Sequence, residues 1–139
     1  MTTPIAYLNT LIMLSLGLLH FYWAASGQWG LAKAVPTDAS GRRVLQTSRL
    51  SCIVVGSGLL GFALYYFSLT GRVAIQWPFG LRQWGTWALA AIFTLRAIGD
   101  FRYVGFFKKL KNTDFAKSDT NFYAPLCLYL GLSSAWIAF

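Results

Sequence analysis

The sequence predicts an all-α fold: an integral membrane bundle of four transmembrane helices in a single domain, residues 1–139. Three observations carry this expectation. First, 56% of the residues are hydrophobic and only 12% are charged, whereas a soluble domain is roughly a quarter charged. So few charges cannot cover a water-facing surface. Second, four apolar runs, at about 5–25, 50–69, 84–107 and 122–139, approach the ~20 residues that a helix needs to cross a ~30 Å hydrocarbon core. Third, none of the runs alternates with a period of two, which sets aside a β-barrel.

The first run, Ile5–Ala25, is interrupted only by Asn9, Thr10, Ser15 and His20. No Lys or Arg precedes Lys33, so the basic region of a cleaved signal peptide is missing and the run is expected to stay as a span. The second, Leu50–Leu69, carries no charge, and its pairs Cys52/Gly56 and Ser57/Gly61 place small residues four apart. That spacing suits close helix approach in lipid, read here as a packing face inside the bundle. The third, Trp84–Phe107, is long enough but holds Arg96, Asp100 and Arg102. The fourth, Phe122–Phe139, is apolar to its last residue and suits a thin or locally adapted bilayer.

Charge sets an orientation. Lys33, Arg42, Arg43 and Arg49 fall in the loop 26–49, and Lys108, Lys109, Lys111 and Lys117 in the loop 108–121; Arg72 and Arg82 alone occupy 70–83. The positive-inside rule then places 26–49 and 108–121 in the cytoplasm and both termini outside a bacterial inner membrane. The net charge of +8 points to anionic headgroups on the cytoplasmic side rather than to nucleic acid, because no basic helix face interleaved with exposed aromatics is present. Cys52 and Cys127 form no CxxC pair and read as small packing residues. With one histidine, His20, bis-histidine haem ligation within a chain is impossible, and no metal-binding spacing is present.

The polar residues fall in one layer. Arg96, Gly99, Asp100 and Tyr103, at spacings of 3, 4 and 7, are expected on one helical face, with Arg96 and Asp100 placed to pair and Arg102 turned toward the headgroups. His20 from the first run, and Asp119 and Tyr123 from the start of the fourth, are expected at a similar depth. A charge at mid-membrane costs about 2.5–3.5 kcal/mol. An i,i+4 pair in water recovers only about 0.2–0.5 kcal/mol. The bland reading is an internal brace. The functional one is a pocket of His20, Arg96, Asp100, Arg102, Asp119 and Tyr123 that binds an amphiphilic ligand, a quinone or an anionic lipid; whether it also converts that ligand stays open. A rival reading is a non-catalytic subunit of a larger membrane complex. Membrane lipids, a membrane-protein partner or further copies of the chain are the partners these readings imply.

The stretches LLHFYWAASGQWGL and RAIGDFRYVGFFKKLKNTDFAKSDTNFYAPLCLYL, with the overall length, make the chain resemble a family of small bacterial four-helix membrane proteins of unknown function. The likeness runs through His20, Trp23, Trp29, Gly30, Arg96, Gly99, Asp100, Arg102, Gly105, Phe106, Phe115, Asp119, Tyr123 and Pro125. It implies the architecture and this choice of residues, and it names no substrate.

Overall fold

The structure is a computed structural model and describes residues 2–139. Among the described residues it is helical without strands: α1 is Thr3–Ala24, α2 Leu31–Ala34, α3 Arg49–Leu69, α4 Leu81–Ile98, α5 Asp114–Ser118 and α6 Ala124–Ala138. A 3-10 turn at Pro78–Gly80 leads into α4, and a π-helical turn at Asp119–Tyr123 joins α5 to α6. Thr37 and Arg43 form one isolated antiparallel bridge. Two helices, α1 and α3, are long and apolar enough to cross a membrane.

Two of the expected boundaries change. The third run is helical only to Ile98. Gly99 takes φ 90°, Phe101 φ 61° and Gly105 φ 87°, left-handed values that a right-handed helix cannot contain. Asp100 reinforces the break, because its Oδ1 accepts from the amides of Arg102, Tyr103 and Val104 at 2.9, 2.7 and 2.9 Å. A short carboxylate side chain has captured amides that a helix would have used. The fourth run changes in the opposite sense: the chain is already helical at Asp114, capped by the Thr113 hydroxyl, which accepts from Ala116 N at 3.1 Å. Asp119 therefore lies within helical backbone, not in a connecting loop.

Contacts divide the chain into two compact units. One takes the chain through Gly27, with Thr47–Thr86 and Trp136–Phe139; the other takes Gln28–Gln46 and Trp87–Ala135. In the first unit α1 packs on α3. A methyl group on Gly17 would lie 3.2 Å from the Gly56 carbonyl oxygen, and one on Gly56 equally close to that of Gly17. Two glycines thus set the approach of the helices. Cys52 and Gly56 are buried, whereas Ser57 and Gly61 are exposed. The inward residues of α1 are Ala6, Asn9, Met13 and Gly17. Leu8, Leu11, Leu14 and Leu18 face outward, Leu11 59% and Leu18 56% exposed. Small and polar residues inside with leucines outside is the reverse of a water-soluble helix.

Polar contacts close both ends of α3. Ser48 and Ser51 make a reciprocal capping box, with bonds of 3.1 and 3.0 Å. Near the other end the Tyr65 hydroxyl bonds Thr86 and donates to the Arg82 carbonyl at 2.7 Å. The Trp77 indole N–H donates to Ser68 Oγ at 2.8 Å. These bonds fix the turn that starts α4. In the second unit α2 packs on α5. Gly131 of α6 lies against α4, where an added methyl would be 3.0 Å from Thr94 N and 3.3 Å from the Ala90 oxygen.

A candidate site around a buried carboxylate

The second unit is organised by Asp119, which is fully buried. It opens the π turn, and such turns inside α-helices displace side chains from the regular register, frequently at functional positions. Its Oδ1 accepts from Arg96 Nη2 at 3.1 Å. Its Oδ2 accepts from Gly105 N at 2.7 Å and from Lys108 Nζ at 3.0 Å. The Lys108 side chain, 1% exposed, also donates to the Gly105 carbonyl at 2.9 Å and to Thr120 Oγ1 at 2.6 Å. Three acceptors match the three hydrogens of an ammonium, so Lys108 is saturated.

Glycine is required where this network meets the loop. Gly99 and Gly105 cross so closely that a methyl on Gly105 would lie 2.6 Å from Gly99 N and would also meet the Ile98 oxygen. The Gly105 amide can therefore approach the carboxylate directly. Phe106 N to the Ala97 oxygen at 2.8 Å and Leu110 N to the Arg102 oxygen at 3.1 Å complete the loop.

Arg96, in the last turn of α4, keeps a side chain 35% exposed. Its Nη1 is buried and has no acceptor among the described residues, an arrangement rare enough to need an explanation. Arg96 and Lys108 are two cations on one carboxylate, so the cluster retains a positive charge.

The expected Arg96–Asp100 pair does not form. Asp100 lies beyond the end of α4, its Oδ1 turned to three backbone amides, and Arg96 pairs with Asp119 instead. Partial burial pushes the Asp100 carboxyl up, but the amides of Val104, Arg102 and Tyr103 outweigh it and hold the group below the usual carboxylate range. The shared helical face of Arg96, Gly99, Asp100 and Tyr103 fails for the same reason. Arg102 is exposed, its guanidinium 5.1 Å from the centre of the Tyr103 ring. Tyr123, in the π turn, stacks on Phe115 at 6.2 Å and meets Phe122 edge-on at 5.6 Å. His20 belongs to the first unit. Its Nδ1 is 2.8 Å from the Leu16 oxygen and its ring packs edge-on to Trp23, both on its own helix.

Lys108 is what sequence reasoning missed. It stands in the run KKLK beside Lys109 and Lys111, and nothing in residue type separates a buried lysine from two exposed ones. The alternation of GFF ahead of it gives no helical phase, so only the fold of the loop singles it out.

The family model DUF3995, described as a protein of unknown function, matches residues 13–134. The chain belongs to that family. The matched segment of this DUF3995 protein takes in His20 and the whole Arg96–Tyr123 region. No curated protein and no solved structure matches the chain. Among the described residues no group of three or more His, Cys, Asp or Glu could hold a metal ion.

Proposed function

We propose that this DUF3995 protein is a four-span protein of a bacterial inner membrane, and that it binds an amphiphilic ligand, a quinone or an anionic lipid, beside Arg96 near the cytoplasmic leaflet. The outward leucines of α1 and the exposed Ile53, Val54 and Leu64 of α3 support lipid contact, since apolar faces of this extent are rare on soluble monomers. The 18 residues of α4 reach about 27 Å as helix. The 15 residues of α6 give about 22 Å, extended by the helical turns before it. Both termini then lie outside, with 26–49 and 108–121 in the cytoplasm, as the charge bias favours.

The observation that carries the ligand reading is the unsatisfied Nη1 of Arg96. Two cations share one carboxylate, and the surplus charge lies in a segment where an uncompensated ion is costly. A ligand oxygen, the phosphate of a lipid or the carbonyl of a quinone, would satisfy Nη1 while Asp119 holds the guanidinium from its other side. Tyr123 shares the π turn with Asp119 and supplies a hydroxyl and an aromatic wall.

Native mass spectrometry of gently extracted protein tests the reading. A retained lipid or quinone is expected, with occupancy per folded molecule falling up to about a hundredfold in Arg96→Gln, because a buried group left unpaired costs about 1–3 kcal/mol. Unchanged occupancy with a lowered melting temperature would reduce the cluster to an internal brace. A retained protein instead of a small molecule would favour an accessory subunit of a larger complex.

A further inference from the structure

A second set of cations faces a different space. The turn after α2 and the loop after α4 enclose an open cleft of about 540 Å³, with Asp38, Ser40, Arg102, Tyr103 and Lys109 on its walls. The size is ordinary for a small-molecule site. Both ion pairs among the described residues fall on Asp119, so neither Arg102 nor Lys109 meets a carboxylate within 4 Å. The one acid on the wall, Asp38, is engaged by its own turn: its Oδ1 accepts from Ser40 N at 2.9 Å, Ser40 Oγ at 2.6 Å and Arg42 N at 2.9 Å. Arg102 lies over the Tyr103 ring, a stacking that orients the guanidinium and leaves its edge free for an oxyanion.

The loop that presents these cations is held in advance. Asp100 fixes the amides of residues 102–104, and Gly105 and Lys108 tie the loop to Asp119. Little ordering then remains to be done on binding. The same loop exposes apolar surface: Phe101 is 58% and Phe107 64% exposed, with ring centres 6.3 Å apart. Phe101 holds φ 61°, a conformation that costs a non-glycine residue free energy and persists only where its surroundings enforce it. A free anion would need the cations but not the phenylalanines; a lipid has use for both.

We propose that this cleft binds the phosphate of an anionic phospholipid headgroup, with Arg102 and Lys109 as its cationic contacts and Phe101 and Phe107 against the acyl-chain side. The site is separate from Arg96 and does not depend on a ligand there; it rests on the preceding reading only in placing the chain in a membrane.

The experiment uses the full chain in bilayer discs of equal parts phosphatidylglycerol and phosphatidylcholine, with retained lipids counted by native mass spectrometry. Enrichment of phosphatidylglycerol is expected, falling about tenfold in the double variant Arg102→Gln/Lys109→Gln as two charge-assisted contacts are lost. The control Lys33→Gln/Lys111→Gln removes two exposed lysines that do not line the cleft and should keep the enrichment. Equal losses in both double variants would mean diffuse charge attraction and overturn the site. Loss in Arg96→Gln with the cleft variant silent would overturn it too, while leaving the reading of Arg96 standing. Inorganic phosphate is titrated into detergent-solubilised protein as a separate arm. Saturable phosphate binding that the cleft variant abolishes, with no enrichment of phosphatidylglycerol in the discs, would assign the cleft to a soluble phosphate and reject the lipid.

Discussion

Asp119 and Lys108 show how much one position can decide. The carboxylate takes three donors and the ammonium reaches three acceptors, so each buried charge is fully matched, the condition under which burial is tolerated. Removing one partner strands the other. Lys108→Met is expected to lower stability in detergent by about 3–5 kcal/mol, whereas Lys109→Met, one residue later and exposed, should leave the unfolding midpoint unchanged. Thermal unfolding of the two variants side by side checks this. Equal midpoints would mean that Lys108 is not buried against Asp119. The pair also illustrates the limit of reading charge from composition, since neighbouring lysines have opposite roles.

At the level of elements, the loop between α4 and α5 is irregular yet tightly constrained. Its backbone crosses itself at Gly99 and Gly105, and the crossing delivers the Gly105 amide to Asp119. Gly105→Ala would add a methyl against the Ile98 oxygen and the Gly99 backbone, beyond the ~1–3 kcal/mol that a positive φ already costs a non-glycine residue. Gly41 has a similar φ of 79° but open space around it, so Gly41→Ala should lose only the conformational part. Denaturation of both variants is expected to rank Gly105→Ala as clearly the more damaging; equal losses would remove the steric role of the crossing. The π turn belongs to this scale as well: it sets the phase between α5 and α6 at the residue where the carboxylate is needed.

For the whole molecule, the proposed four spans imply a definite side for each loop. Cysteine labelling in intact cells and in inverted vesicles should find positions 42 and 111 cytoplasmic and position 72 external, because eight basic residues in the loops 26–49 and 108–121 oppose two in 70–83. Labelling at 72 from the cytoplasmic side alone would reverse the orientation. It would also place both cationic clusters on the outer face, away from the surface potential that attracts basic segments.

Sequence by itself determined the all-helical class and, within two residues at either end, α1 and α3, because a predominantly apolar run of that length without Lys, Arg, Asp or Glu has few alternatives to a helix. It also singled out His20, Arg96, Asp100, Arg102, Asp119 and Tyr123 as candidates, since ionisable groups stand out against an apolar background. It could not assign their partners. Extending the third helix through Gly99 put Arg96 one turn from Asp100, when a left-handed glycine ends the helix and sends Asp100 to its own backbone. Helical periodicity relates residues a few positions apart. The Arg96–Asp119 and Lys108–Asp119 contacts span a chain reversal, and only the tertiary path of the loop, fixed by two glycines in close contact, decides which charges meet.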